Sequence, residues 1–372
     1  MDQELARIAH LFTRFSEVDG RDDPLYAALA AIIAPDPPLL SLLLEAPSTQ
    51  RLPVLMLAAL HDRVLAGEPH PLAAYYASAG GTRAPDGELA ACLRDFVRRE
   101  DAALRALIRT RTTQTNETGR CAVLRPALQE LATRLGGTVS SPVELALFDF
   151  GCSAGLNLGV DRYAYVDEVE TVPGETAEAP LIHTTWDGER PSPLLGAPRW
   201  RAAHRMGIDL HPLDPADEDA ARWLRACLWP GDAARNARLA RALADARRHP
   251  VPLVRTRDGL SELERWMDLL PRGVTPVVFN VWVLAYFEDD ARKAHLERIA
   301  RLVRERGLAW ISGEMGKLAP LAQLPEAPHG EHASSSTLWT LQWREQGESC
   351  TEALAWSHPH GRWIRWLSFD QA

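Results

Sequence analysis

Cysteine is scarce in this chain and is never paired in spacing. Cys92, Cys121, Cys152, Cys227 and Cys350 make five, an odd number, with no C-x-x-C among them. That spacing argues against a structural zinc site and for a reducing compartment over a disulfide framework. Long apolar runs are also missing. The richest, LPVLMLAAL (52–60), falls well short of the roughly 18 residues a membrane span requires. The opening MDQELARIAH has no basic stretch followed by an apolar core, so no signal peptide is read there. No basic run interleaved with aromatics occurs, and the net charge of −9 is spread along the chain, so a nucleic-acid footprint is absent. These absences point to a cytoplasmic protein with no nucleic-acid or membrane partner. A small-molecule substrate is expected; oligomeric state is not specified.

What is present is ordinary globular composition: 372 residues, 46% hydrophobic and 24% charged, enough for about two domains. Residues 1–137 read as helices almost throughout. ELARIAHLFTRF spaces Leu5, Ile8, Leu11, Phe12 and Phe15 as one helical face. Asp23-Pro24 opens a further helix, and DGELAACLRDFVRREDAALRALIRT (86–110) places acid early and arginine late, as the helix dipole prefers. The pattern changes at 142. PVELALFDF (142–150) is a short apolar run suited to a buried strand, and RMGIDL (205–210), VPLVRT (251–256), TPVVFNVWV (275–283) and LAWISGE (308–314) follow, separated by helical stretches. Strands alternating with helices imply a parallel sheet covered on both faces. STLWTLQWRE and EALAWSHPHGRWIRWLSF, joined by QGES, imply a closing antiparallel pair. The expected class is α/β: a Rossmann-like, mostly parallel sheet over 141–372 with an antiparallel C-terminal hairpin, preceded by an all-α domain over 1–140.

The segment LALFDFGCSAGLNLGVDRY (145–163) fits two templates. Gly151-Cys152-Ser153-Ala154-Gly155 spells G-x-S-x-G, a hydrolase nucleophile elbow, and Ser153, Asp289 and His358 occur in triad order. That elbow needs several strands and an oxyanion loop upstream, whereas one strand and helices precede Gly151 here. The other template is a cofactor turn. Gly151 and Gly155 allow tight turning and close backbone approach, and the amides of a helix after Gly155 would face the same pocket. Asp149 at the strand end suits a cation; adenosylmethionine carries an ammonium and a sulfonium, whereas NAD carries phosphates that an aspartate repels. The turn therefore looks like the first motif of Rossmann-like adenosylmethionine-dependent methyltransferases.

Further cofactor contacts are read along the sheet. Ser153 and Asn157 lie on or beside the turn. Asp209, ending GIDL, is placed to accept from ribose hydroxyls, although it falls 54 positions after Gly155 where about 20 is usual, which demands an insertion. Asp214 is read as the cap of the next helix. Asp258 is placed to accept from an adenine amino group or, equally, to cap a helix. In QTNETGR (114–120), Asn116, Glu117 and Arg120 crowd three hydrogen-bonding groups into one turn; the plainer reading is a helix cap at Thr115 or Asn116. Glu117, Asn280 and Tyr286 are candidate catalytic residues. Asn116, Arg120, Trp282 and Glu314 are candidate substrate contacts. Core packing explains Tyr163 and Tyr165, and turn chemistry explains His358 and His360 as well as catalysis does. His329, Glu331 and His332 tempt a metal reading, but a proline-rich loop makes a poor rigid site, so no metal is expected.

Together TNETGRCAVLRPAL, FGCSAGLNLGVDRYAY, GIDLHPLDP, WLRACLWPGDAARNARLARAL and HPHGRWIRWL resemble a bacterial family catalogued as domain of unknown function 2332. The resemblance spans nearly the full length. It implies a helical N-terminal region fused to a methyltransferase-like domain and leaves the reaction open. The residues above favour an adenosylmethionine-dependent methyltransferase. The alternatives are a non-methylating enzyme cleaving adenosylmethionine, a non-catalytic sensor of it and, last, a serine hydrolase.

Overall fold

The computed structural model describes residues 3–190, 196–328 and 336–367. The chain divides into two compact units: Met1–Thr115 with Ala216–Ala240, and Asn116–Pro215 with Arg241–Ala372.

The first unit is built of helices. It holds α1 (Gln3–Arg14), α2 (Pro24–Ile33), α3 (Pro37–Leu40), α4 (Pro53–Leu65) and α5 (Leu89–Thr110). Proline in the first turn of α2, α3 and α4 loses no hydrogen bond, since those amides have no intrahelical partner. Asp23 and Asp36 cap α2 and α3 through the amides of Tyr26 and Leu39. The second unit takes α6 (Cys121–Arg134), whereas α7 (Glu218–Ala226) returns to the first and α8 (Ala233–Arg248) runs from one unit into the other. A single cut at residue 140 therefore does not describe the division. α7 stays with the helices because its polar partners are on α4: Arg222 pairs with buried Asp62 at 3.1 Å, and the His61 ring meets the Ala226 carbonyl at 3.1 Å. Burial pushes His61 down to about 4, so this imidazole is neutral at pH 7. Asp217, rather than Asp214, caps α7, through the Ala220 amide at 2.8 Å.

The second unit is mixed α/β. After β1 (Val143–Phe150), β2 (Ala164–Val166), β3 (Thr171–Val172) and β4 (Leu181–His183) form a small separate sheet. This sheet is the insertion that the long interval to Asp209 demands. β5 (Thr185–Trp186), β6 (Trp200–Asp209), β7 (Leu253–Arg255), β8 (Thr275–Val281), β9 (Ala309–Met315), β10 (Thr337–Glu345), β11 (Glu348–Ser357) and β12 (Trp363–Trp366) complete the strands. The main sheet runs β5-β12-β11-β10-β9-β8-β1-β6-β7. Its core β7-β6-β1-β8-β9 is parallel throughout. β10 and β11 pair antiparallel across a turn at Gln346-Gly347, both at positive φ (49° and 94°), the geometry that a two-residue hairpin favours. The tail, expected as one strand, breaks at His358–Arg362 before β12.

Side chains alternate between faces. Phe148, Met206, Ile208, Val278 and Trp310 share one apolar core with α9 (Gly259–Asp268) and α10 (Asp289–Arg306). Asp149 and Asp209, each one residue out of phase, therefore lie on the opposite face, where α6 packs. From β1 the chain goes first to β6 and β7 on one side, and only later to β8 on the other. The connections part there, which makes the carboxyl ends of β1 and β8 the switch point of the sheet, the place where such sheets bind ligands.

The expected helix after the glycine turn is not formed. A four-residue 3-10 helix, Leu156–Gly159, stands there instead. Gly155, Gly159 and the charged pair Asp161-Arg162 leave too short an apolar run to propagate a helix. Arg162 is drawn to Asp245 at 2.9 Å and Arg205 to Asp161, tying this segment to its neighbours.

Candidate functional site

The turn after β1 is held by main-chain geometry. Gly151 (φ +83°), Ser153 (φ +53°) and Gly155 (φ +66°) all adopt left-handed conformations. At Gly151 a Cβ would lie 2.5 Å from a Val283 methyl, so glycine is required for both conformation and space. Ser153 is a non-glycine residue at positive φ, and so is Trp282 (φ +60°) at the end of β8. Both sit at the carboxyl edge of the sheet, where such strain persists only under surrounding constraint. The constraint at Ser153 is Asp209, whose Oδ2 accepts the Ser153 amide at 2.9 Å while Oδ1 accepts that of His211 at 2.8 Å. Asp209 thus ties the end of β6 to the glycine turn, a bond the sequence does not announce.

Asp149 is 3% exposed, and its Oδ2 has no hydrogen-bond partner. Burial and the nearby charge of Asp209 push it up to about 8, with Arg120 opposing. A buried acceptor without a donor costs free energy unless something else satisfies it. At the glycine turn the Asn116 amide nitrogen donates to the Cys152 carbonyl at 2.6 Å, and the Asn116 Oδ1 is a second buried acceptor without a partner.

The segment 116–120 closes over this face of the sheet. Glu117 is 3% exposed and accepts the Gly119 amide at 2.8 Å, capping the short 3-10 turn Thr118–Arg120. Arg120 donates from Nη1 to the Val281 carbonyl and from Nε to the Pro359 carbonyl, each at 3.1 Å. His360 Nδ1 lies 3.6 Å from Glu117 Oε2. The turn at His358–Gly361 therefore belongs to the site. Its sequence signal was HPHG, which turn chemistry alone already explained. Asn157 is buried nearby and accepts from the Cys121 thiol at 3.4 Å.

Several expected contacts have other employment. Asn280 donates to Glu314 Oε1 at 2.7 Å and accepts from the Trp310 indole at 2.6 Å, so both ends of its amide are committed on the α9/α10 face. In this arrangement both of its polar atoms serve the scaffold. Glu314 is fully buried; its Oε1 also accepts the Val283 and Leu284 amides at 2.8 and 3.2 Å, and burial pushes its acidity up. It locks the turn after β8 from the face opposite Asp149. Trp282 donates its indole to Thr337 Oγ1 at 2.7 Å and is half-buried. Tyr286 is 85% exposed. Asp258 caps α9 through the Ser261 amide at 3.1 Å and its hydroxyl at 2.7 Å, so both carboxylate oxygens serve the helix. Asp289 is 91% exposed and paired with Arg292, which leaves it no part in orienting His358.

No group of three or more His, Cys, Asp or Glu among the described residues is arranged to hold a metal. His329, Glu331 and His332 lie outside the described residues. An open cavity of about 550 Å³ lies elsewhere, lined by Asp161, Arg162, Glu175, Arg205 and His249. Its arginines are already paired with Asp245 and Asp161. No single helix among the described residues is long and apolar enough to cross a membrane.

A family model described as "uncharacterized protein conserved in bacteria (DUF2332)" matches residues 9–366. No curated protein matches the chain. Among solved structures, the bifunctional kinase-methyltransferase WbdD is similar at 13% identity and a TM-score of 0.25 over 57% of this chain. The chain spans about a third (31%) of that protein. The sugar N-methyltransferase KedS8 from Streptoalloteichus sp ATCC 53650 is similar at 14% identity and a TM-score of 0.21, over 74% of this chain and 75% of that one. Likeness this slight assigns no activity.

Proposed function

The chain belongs to the DUF2332 family, and on that premise we propose that it is an adenosylmethionine-dependent methyltransferase acting on a small molecule. The observation that carries this reading is Asp149: a buried carboxyl with a partnerless oxygen, beside a left-handed glycine turn at the switch point of a doubly wound sheet. Two unpartnered acceptors, Asp149 Oδ2 and Asn116 Oδ1, with Asp209 close by, suit a ligand rich in N–H donors and positive charge. A pyrophosphate would meet the Asp209 carboxylate, the acid of Asp149 and no long helix N-terminus. The donor set therefore fits adenosylmethionine.

When bound, that cofactor supplies a methyl group on a positively charged sulfur. Asp149 and Asn116 would hold its ammonium. Asp209 would use its remaining lone pairs for the ribose hydroxyls, and the main chain of Gly151–Gly155 would lie against the ligand. Displacement at a methyl carbon asks little more than alignment and exclusion of water; the segment 116–120 would provide the cover.

Calorimetric titration with adenosylmethionine, adenosylhomocysteine and NAD tests this. Saturable binding of the first two, weakened more than about tenfold in Asp209→Asn (about 1.4 kcal/mol) and absent for NAD, is the expected result. Binding of NAD with equal strength, or of none of the three, overturns it. Formation of methylthioadenosine instead of adenosylhomocysteine during turnover would replace methyl transfer with cleavage at another carbon.

A further inference from the structure

We propose that Ser78, in the helical unit, is a nucleophile activated by His61, and that this pair takes acyl groups from carboxylic esters. The pair is separate from Ser153 and does not rest on the cofactor reading above.

His61 lies on α4 and is fully buried. Its Nδ1 meets the carbonyl of Ala226, the last residue of α7, at 3.1 Å. A carbonyl only accepts, so Nδ1 carries the ring proton and Nε2 presents a lone pair. Ser78 Oγ lies 2.6 Å from that Nε2 and therefore donates its proton there. The Tyr26 hydroxyl, 3.4 Å from Nδ1, and the Tyr76 ring, 5.2 Å away between centroids, hold the imidazole from two further sides. A serine in a turn commonly bonds back to nearby main chain; Ser78 instead sends its hydroxyl into an imidazole on α4. Nucleophile, base and a third group that orients the base make up the constellation of an activated serine.

Ser78 is half-buried within the short 3-10 turn Ala77–Ala79, and Ala77, Ala79 and Gly80 around it are small and exposed, which leaves its hydroxyl approachable. In the step, a lone pair on Ser78 Oγ bonds to the acyl carbon while the hydroxyl proton passes to His61 Nε2. The bond from carbon to the ester oxygen then breaks with its pair going to that oxygen, which takes the proton and leaves as the alcohol. Water repeats the attack, returns the proton to Ser78 and releases the acid. The titratable and charged groups that face the ring are Ser78, Tyr26 on α2, Tyr76 and Arg225 on α7. Burial with Arg225 nearby makes His61 a weak base. An ester, whose alkoxide leaves with less help than an amide nitrogen needs, is the acyl donor such a base can serve.

The test incubates the full chain with p-nitrophenyl acetate, follows release of nitrophenol and locates the acetyl group by mass spectrometry. The wild type should show a stoichiometric burst with the acetyl group on Ser78, and Ser78→Ala should show none. His61→Asn, which keeps a donor for the Ala226 carbonyl, should acetylate at least about a hundredfold more slowly. With His61 held at about 4 and so neutral throughout, the burst rate should stay level between about pH 6 and 8. Attack by an unassisted serine alkoxide would climb about tenfold per pH unit instead. That profile is read on the wild type, so it decides even where His61→Asn does not fold. Acetyl groups found only at other residues, a burst rate that climbs with pH, or a folded His61→Asn protein that acetylates at the wild-type rate overturns the assignment.

Discussion

Replacing Asp149 by asparagine keeps the shape of the side chain and removes its ability to become charged. In the free protein Asp149 is pushed up to about 8, so at pH 7 it is mostly protonated. Binding a cation reverses that preference and expels about 0.9 proton at pH 7. An ammonium about 4 Å from a carboxylate gains about 4 kcal/mol at an effective dielectric constant near 20. Ionising the acid one unit below its pKa costs about 1.4 kcal/mol. Asparagine keeps a neutral hydrogen bond of about 1 kcal/mol, so Asp149→Asn should lose about 1.6 kcal/mol, roughly fifteenfold in affinity. Wild-type affinity should rise about tenfold per pH unit below 8 and level off there, where the ligand's own amino group begins to titrate. Calorimetry in two buffers of different ionisation enthalpy counts the protons. A wild type that releases none, together with unchanged affinity in Asp149→Asn, would refute the electrostatic reasoning.

The same residue makes a stability prediction. Its folded pKa lies above the unfolded value, so the native state holds the extra proton, and Asp149 destabilises the fold increasingly as pH rises from about 4 to 8. Asp149→Asn should therefore melt higher than wild type at pH 8 and nearly level with it at pH 4; equal melting at both would contradict the burial argument. Asp258→Ala should cost about 1 kcal/mol through its lost cap and leave adenosylhomocysteine affinity unchanged; weakened binding would restore Asp258 to the cofactor set. Glu314→Ala strips Asn280 and the Val283 and Leu284 amides of their shared acceptor. It should lower stability by about 3 kcal/mol in denaturant melts, and a loss under 1 kcal/mol would contradict the lock.

The alternation of apolar runs with amphipathic stretches located the five parallel strands, because a strand buried on both faces leaves a continuous apolar signature. The order of those strands was not legible, since register and neighbours depend on contacts distant in the chain. The small sheet β2-β3-β4 escaped notice because its strands have two or three residues. Asp149 and Asp209 were legible from their places at strand ends. The bonds that tie Asn280 and Glu314 into the scaffold were not legible, because they join strands distant in the chain. HPHG was legible as a turn; that the turn lies against Glu117, 243 positions earlier, was not.

A co-crystal with adenosylhomocysteine tests the central claim most directly. The account predicts the nucleoside along the Gly151–Gly155 main chain with its ammonium about 3 Å from Asp149 Oδ2. A nucleoside lodged elsewhere, with Asp149 still partnerless, would contradict it.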